Sequence, residues 1–167
     1  LVNLLVRWCS RYSPCVAIDD SSPDPIKGYA LWLDISGASH LLGGERELVL
    51  DLSKRLRRFG FENFISLADT LGAAWAVARF SSTERQHVKI LEPGQQEVEL
   101  SYLPVEGLRL PVLIIKKLKK LGLYRITDLS KFSRSFLTHN FGAELVLRLD
   151  QAMGLVDETI NVYRPPP

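Results

Sequence analysis

Leu31-Trp32-Leu33-Asp34-Ile35-Ser36-Gly37-Ala38-Ser39-His40-Leu41-Leu42-Gly43-Gly44-Glu45 passes from an apolar run through an aspartate and a small-residue turn into a paired glycine and an acidic residue. The apolar part, Tyr29 to Ser36, reads as a strand. Upstream, Cys15-Val16-Ala17-Ile18 reads as a shorter buried strand, and Asp19 to Gly28 is crowded with Asp, Ser, Pro and Gly. The two strands therefore form a hairpin with a long loop. Before it, Leu1 to Tyr12 spaces Leu1, Leu4, Leu5 and Trp8 along one helical face, and Ser13-Pro14 ends that helix because a residue preceding proline disfavours the helical region.

Downstream, Glu45 and Glu47 place negative charge at a helix start, where the dipole favours it, and Leu48, Leu52, Leu56 and Phe59 form the expected inward stripe. Gly60 closes this helix. Phe64 to Ala68 reads as a strand, Gly72 to Phe80 as an alanine-rich helix and Val88 to Leu91 as a last short strand, which makes the fold class α+β. Pro93-Gly94 then breaks the chain, and everything beyond has helical spacing. The expected division is a mixed unit over residues 1–92, a connector at 93–102, a helical unit over 103–160 and a linker at 161–167. The helical unit holds a basic helix from Pro111 to Leu121, a turn at Gly122, short helices at Thr127–Phe132 and Ser133–Asn140, and a helix from Gly142 to Met153.

With 46% hydrophobic residues among 167, the chain has ample material for a buried core. A formal net charge of +2 is mild, so attraction for nucleic acid has to come from local clustering. Cys9 and Cys15 lack metal-ligand spacing and read as small core residues of a cytoplasmic protein. No apolar run approaches the roughly 20 residues of a membrane span, and no signal peptide is evident, so no membrane partner is expected. A start at Leu1 and an end at Pro165-Pro166-Pro167 suggest a piece of something longer.

Charge does cluster between Arg109 and Arg125, where six basic residues occur with no acidic one. Leu113, Ile114, Leu118 and Leu121 supply the apolar side of this helix, leaving Lys116, Lys117, Lys119 and Lys120 as an array for backbone phosphates; a merely solvated lysine face is the alternative. The Leu-Lys-Lys-Leu-Gly ending resembles the second helix of a helix-hairpin-helix unit. A Gly-x-Gly hairpin normally precedes that helix and offers N–H groups to a phosphate; the corresponding positions here are Arg109, Leu110 and Pro111. Proline has no N–H, so the Arg109 side chain would have to replace the lost contact.

Asp19-Asp20, with Asp34 nearby, are the carboxylates able to hold Mg²⁺ for nucleotidyl transfer, although Asp in this setting also suits a turn. Gly43-Gly44 reads as a turn rather than a phosphate loop because Glu45 and Glu47 repel an anion. His40, His87 and His139 are isolated and read as surface or packing residues.

Leu31 to Glu45 resembles the signature of ImuB proteins, non-catalytic relatives of Y-family DNA polymerases. The resemblance continues, in order, through Ser66 to Arg79, Leu103 to Pro111 and Phe141 to Gly154. It implies a polymerase-like palm, lacking its first strand and the fingers, followed by a small helical thumb. In active relatives the hairpin carries a Ser-Ile-Asp-Glu motif whose carboxylates bind Mg²⁺. Matching from the first strand puts Asp19-Asp20 at that place; matching from the second puts Tyr29-Ala30 there and deletes the site. Active relatives also carry triphosphate-pairing lysines where this chain reads Ala68-Asp69-Thr70-Leu71 and Ala74-Trp75-Ala76-Val77.

The resemblance therefore implies a pseudo-polymerase with no catalytic residue, metal or cofactor, serving translesion synthesis in the bacterial DNA damage response. Its implied partners are primer-template DNA, bound without sequence specificity through Arg109, Lys116, Lys117, Lys119 and Lys120, and, in the full-length protein, an error-prone replicative-type polymerase, a RecA-like protein and the sliding clamp. Two alternatives stay open: an active polymerase using Asp19 and Asp20 with Mg²⁺, and a purely protein-binding scaffold.

Overall fold

The computed structural model describes residues 1–19 and 28–164 and divides into two compact units, Leu1–Asn63 with Thr159–Pro167, and Phe64–Glu158. In the first, helix α1 (Val2–Cys9) buries Val6 and Cys9 and stops before Pro14. The buried Ser13 hydroxyl bonds the Asp34 carbonyl and accepts from the Cys15 N–H at 3.0 Å, tying the helix exit to the sheet. Strands β1 (Cys15–Ile18) and β2 (Leu31–Asp34) pair antiparallel with Cys15 opposite Asp34 and Ile18 opposite Leu31. The segment at 159–164 returns to this unit, where the Tyr163 N–H donates to the Val16 carbonyl at 2.8 Å.

Helix α2 (Glu45–Arg58) has acidic residues in its first turn and Arg55, Arg57 and Arg58 in its last, the arrangement its dipole favours. Leu48, Val49 and Leu52 are buried, as is Ser53, whose hydroxyl donates to the Asn63 side-chain oxygen at 2.8 Å. Phe59 departs from the expected stripe. It is the C-cap residue, already outside helical geometry (φ −80°, ψ 0°), and is 61% exposed, with its ring edge-on to Trp8 at 5.4 Å. Tyr12 donates to Asp51 at 2.7 Å; that bond is the main cause of the lowered Asp51 carboxyl pKa.

In the second unit, β3 (Ile65–Leu67) and β4 (Val88–Ile90) pair parallel, the crossover between them carrying α3 (Leu71–Phe80). Thr70 caps α3 by accepting from the Ala73 N–H at 3.1 Å and also donates to the Ala152 carbonyl at 2.8 Å. Helices α4 (Gln96–Ser101), α5 (Val112–Lys120), α6 (Arg134–Phe141) and α7 (Ala143–Met153) follow, with 3₁₀ turns at Val105–Leu108 and Ile126–Lys131. Leu100, Val105, Leu118, Leu129 and Leu145 are fully enclosed and form the core with Ala73, Ala76 and Val77 of α3.

The architecture is α+β, as expected, but the expected division near residues 91–103 does not coincide with the division into compact units, which falls after Asn63. The reason is physical: α3 packs on α7, with Gly72 so close that a Cβ there would lie 3.1 Å from Ala152 Cα. The expected connector also contains α4, whose Leu100 is core.

Two outcomes follow from this packing. Gly72→Val, which adds both the clashing Cβ and a β-branch, lowers stability by about 2 kcal/mol or more in denaturant unfolding. Burial pushes the Cys9 thiol up to about 11, so at pH 8 a thiol reagent labels the half-buried Cys15 first and reaches Cys9 only at the rate of unfolding. Equal labelling rates would show that the α1 seat opens in the native state.

Candidate nucleic-acid interface

Helix α5 is bounded by Pro111, whose fixed φ suits a helix start and whose carbonyl accepts from the N–H groups of Ile114 and Ile115, and by Gly122 at φ 77°. It seats through Leu118, which is fully buried. The expected apolar side is only partly used: Ile114 is half-buried, whereas Leu113 is 78% and Leu121 61% exposed. A nine-residue helix makes about two and a half turns, with Leu118 fully buried and Ile114 and Ile115 half-buried, so much of its surface stands clear.

The four lysines differ. Lys116 and Lys120 are exposed and make no ion pair among the described residues. Lys117 donates to the Asn140 carbonyl at 2.8 Å and lies 5.9 Å from the centre of the Phe141 ring. Lys119 pairs with Glu106 at 2.5 Å and remains 47% exposed. Its ammonium thus stays open to solvent while its partner, Glu106, is half-buried.

Arg109 is placed otherwise than expected. Its side chain is only 5% exposed, and its Nη2 contacts both carboxylate oxygens of Glu158, itself 14% exposed and also 3.4 Å from Arg148. The expected solvent-facing position is thus not the one it occupies: the side chain lies buried against a carboxylate. Yet its backbone keeps a signature of the hairpin: φ 56° and ψ 41° make it the one non-glycine residue in the left-handed region among the described residues. An arginine occupies a conformation that suits glycine. The Arg109 N–H is spent on the Glu106 carbonyl and Pro111 has none, so two of the three hairpin positions offer no amide.

Sequence reasoning missed Glu158, Arg148 and Glu106. No local pattern marks them, since Glu158 meets Arg109 across 49 residues of chain. It also missed Asp128, which accepts from the N–H groups of Arg125 and Tyr124 and is held below the usual carboxylate range by them, chiefly by Arg125.

On the hairpin, Asp19 continues the ladder, its N–H donating to the Ala30 carbonyl at 2.9 Å, while Asp20 lies outside the described residues. Asp34 is engaged locally: the Ser36 hydroxyl at 2.6 Å and the Ser36 N–H at 3.0 Å hold its carboxyl below the ordinary range. In α3, Trp75 is buried and the Arg79 guanidinium lies 4.9 Å from its ring centre.

Over 164 residues the chain is 42% identical to protein ImuB of Caulobacter vibrioides, in each of two strains, the match taking in 98% of this chain and 33% of the relative. Its fold matches the crystal structure of DinB from Sulfolobus solfataricus with a TM-score of 0.66 at 16% identity, over 95% of this chain and 45% of that one. The chain is thus similar to a part of ImuB in sequence and to DinB in fold. No family model matches it. This ImuB-like chain spans about a third of the length of the curated relatives it matches.

The αL placement of Arg109 is measurable. Arg109→Ala removes the buried pair while keeping the Cβ, and lowers stability by about 3 kcal/mol. Arg109→Gly also loses the pair but relieves the backbone, so its loss is smaller by about 1 kcal/mol. Equal losses in paired urea melts would show that the left-handed backbone carries no strain.

Proposed function

We propose that this ImuB-like chain is the DNA-holding part of a non-catalytic polymerase-like protein of the bacterial DNA damage response, acting in translesion synthesis. The reading rests on α5: Lys116 and Lys120 stand exposed on a helix that carries no acidic residue, with Lys119 beside them in a weak surface pair. Lysines on a flexible stem read phosphate charge, not base edges, so the grip is sequence-independent and salt-sensitive. The non-catalytic part draws support from Trp75 and Asp69 at the two places where active relatives carry lysines, and from Ala30 opposite Asp19. In the full-length protein the same reading gives an error-prone replicative-type polymerase, a RecA-like protein and the sliding clamp as partners, in the cytoplasm.

A second reading, a protein-binding scaffold, is favoured by the exposed Val112, Leu113 and Leu121 on the same helix, and by Lys117 and Lys119 already being engaged.

Fluorescence anisotropy of a labelled primer-template across a salt series separates the two. The DNA-holding reading expects log affinity to fall linearly with log salt, and Lys116→Ala with Lys120→Ala to reduce the slope by about 2 while weakening binding at least tenfold near 0.1 M salt. Binding that is absent at low salt, or indifferent to the double substitution, leaves the scaffold reading.

A further inference from the structure

Two guanidinium groups meet one carboxylate at the hairpin. Arg109 Nη2 grips both oxygens of Glu158, one of them at 2.9 Å, and Arg148 Nη1 stands 3.4 Å from that same oxygen. Arg148 Nε is buried with no hydrogen-bond partner among the described residues. The carboxylate takes its charge-assisted contacts from one nitrogen of each guanidinium, contacts that a phosphate oxygen accepts equally well. It sits on the residue whose left-handed backbone marks the hairpin, immediately before α5 and its lysines. Glu158 is also the last residue of its compact unit; the next, Thr159, begins the segment that returns to the other.

We infer that Arg109 and Arg148 form an anion site that the chain's own Glu158 fills, so that Glu158 competes with nucleic-acid phosphate and sets the chain's DNA affinity low. The inference rests on the DNA-holding reading of α5. Arg148 Nε, buried without a hydrogen-bond partner among the described residues, is a donor that an incoming phosphate can use and Glu158 does not. A buried ion pair contributes little net stability, because desolvation offsets most of the attraction. Exchange of one anion for another is therefore nearly balanced, and Glu158 is released without unfolding the hairpin. Release of Glu158 loosens the start of the returning segment.

The test compares the 167-residue chain with Glu158→Gln, which keeps the shape and removes the charge, in the same anisotropy series. The expected result is primer-template affinity tighter by about tenfold near 0.1 M salt, with a slope steeper by about 1, as one added phosphate contact requires. The gain vanishes in Glu158→Gln combined with Arg109→Gln. Should Glu158→Gln fail to melt cooperatively, amide exchange of the unmodified chain reads the same event: saturating primer-template speeds exchange over residues 158–163, where the Tyr163 N–H is bonded to Val16. Wild-type affinity and slope in a folded Glu158→Gln, a gain that survives loss of Arg109, or exchange unchanged by bound DNA each overturns the inference. Failure of the α5 reading is seen separately, in the lysine double variant with Glu158 intact.

Discussion

The approach of α3 to α7 at Gly72 and Ala152 is the constraint on which the second unit depends. With no side chain at position 72 the two helices meet backbone to backbone, and the Thr70 hydroxyl completes the junction by capping α3 and donating to Ala152. Gly107 repeats the device one turn further along α3, where an added Cβ would lie 3.2 Å from Ala76 Cβ. Small residues at both contacts make α3 a shared wall, touching β3 and β4 as well as α4 and α7. A seam through residues 93–102 would expose that wall, which is why the chain has no compactness boundary there.

Anchored to this core, α5 is seated chiefly by Leu118, whose burial contributes roughly 2–3 kcal/mol, with Ile114 and Ile115 half-buried beside it. A helix with one fully buried residue keeps most of its surface free. The lysines are exposed because the seat is narrow, and the same narrowness leaves Leu113 and Leu121 in solvent. Charge display and apolar exposure thus have one cause. The backbone before α5 is set less cheaply, since Arg109 accepts a left-handed conformation, costing on the order of 1–2 kcal/mol, in order to reach Glu158.

Elements whose determinants are local were legible in the sequence. The hairpin strands fall inside the expected runs because proline and glycine bound them, and α5 lies within one residue of its expected limits because Pro111 and Gly122 punctuate it. What was not legible depends on partners distant in sequence. Leu113 and Leu121 satisfy helical periodicity, but periodicity does not say how much of a face finds a neighbour. The six-residue α4 is too short to show a period, and only the burial of Leu100 reveals its role. Arg109 looked solvent-facing because no acidic residue lies within the basic stretch, while its partner waits 49 residues on.

That last point bears on how a chain with a net charge of only +2 would hold DNA at all. The basic stretch from Arg109 to Arg125 carries six positive charges. Glu158 cancels one and Glu106 another, leaving four, of which Lys117 has its ammonium turned to a carbonyl and an aromatic ring. Both neutralising carboxylates come from outside the stretch, and they are not equivalent. The Glu106 pair is exposed at its lysine end, so it is more open to salt and to an approaching phosphate than the other. The Glu158 pair is enclosed, so it persists at salt concentrations that dissolve the other. On the DNA-holding reading, Lys119 then behaves as part of the free array, and the hairpin arginines are the reserve that a carboxylate keeps out of use.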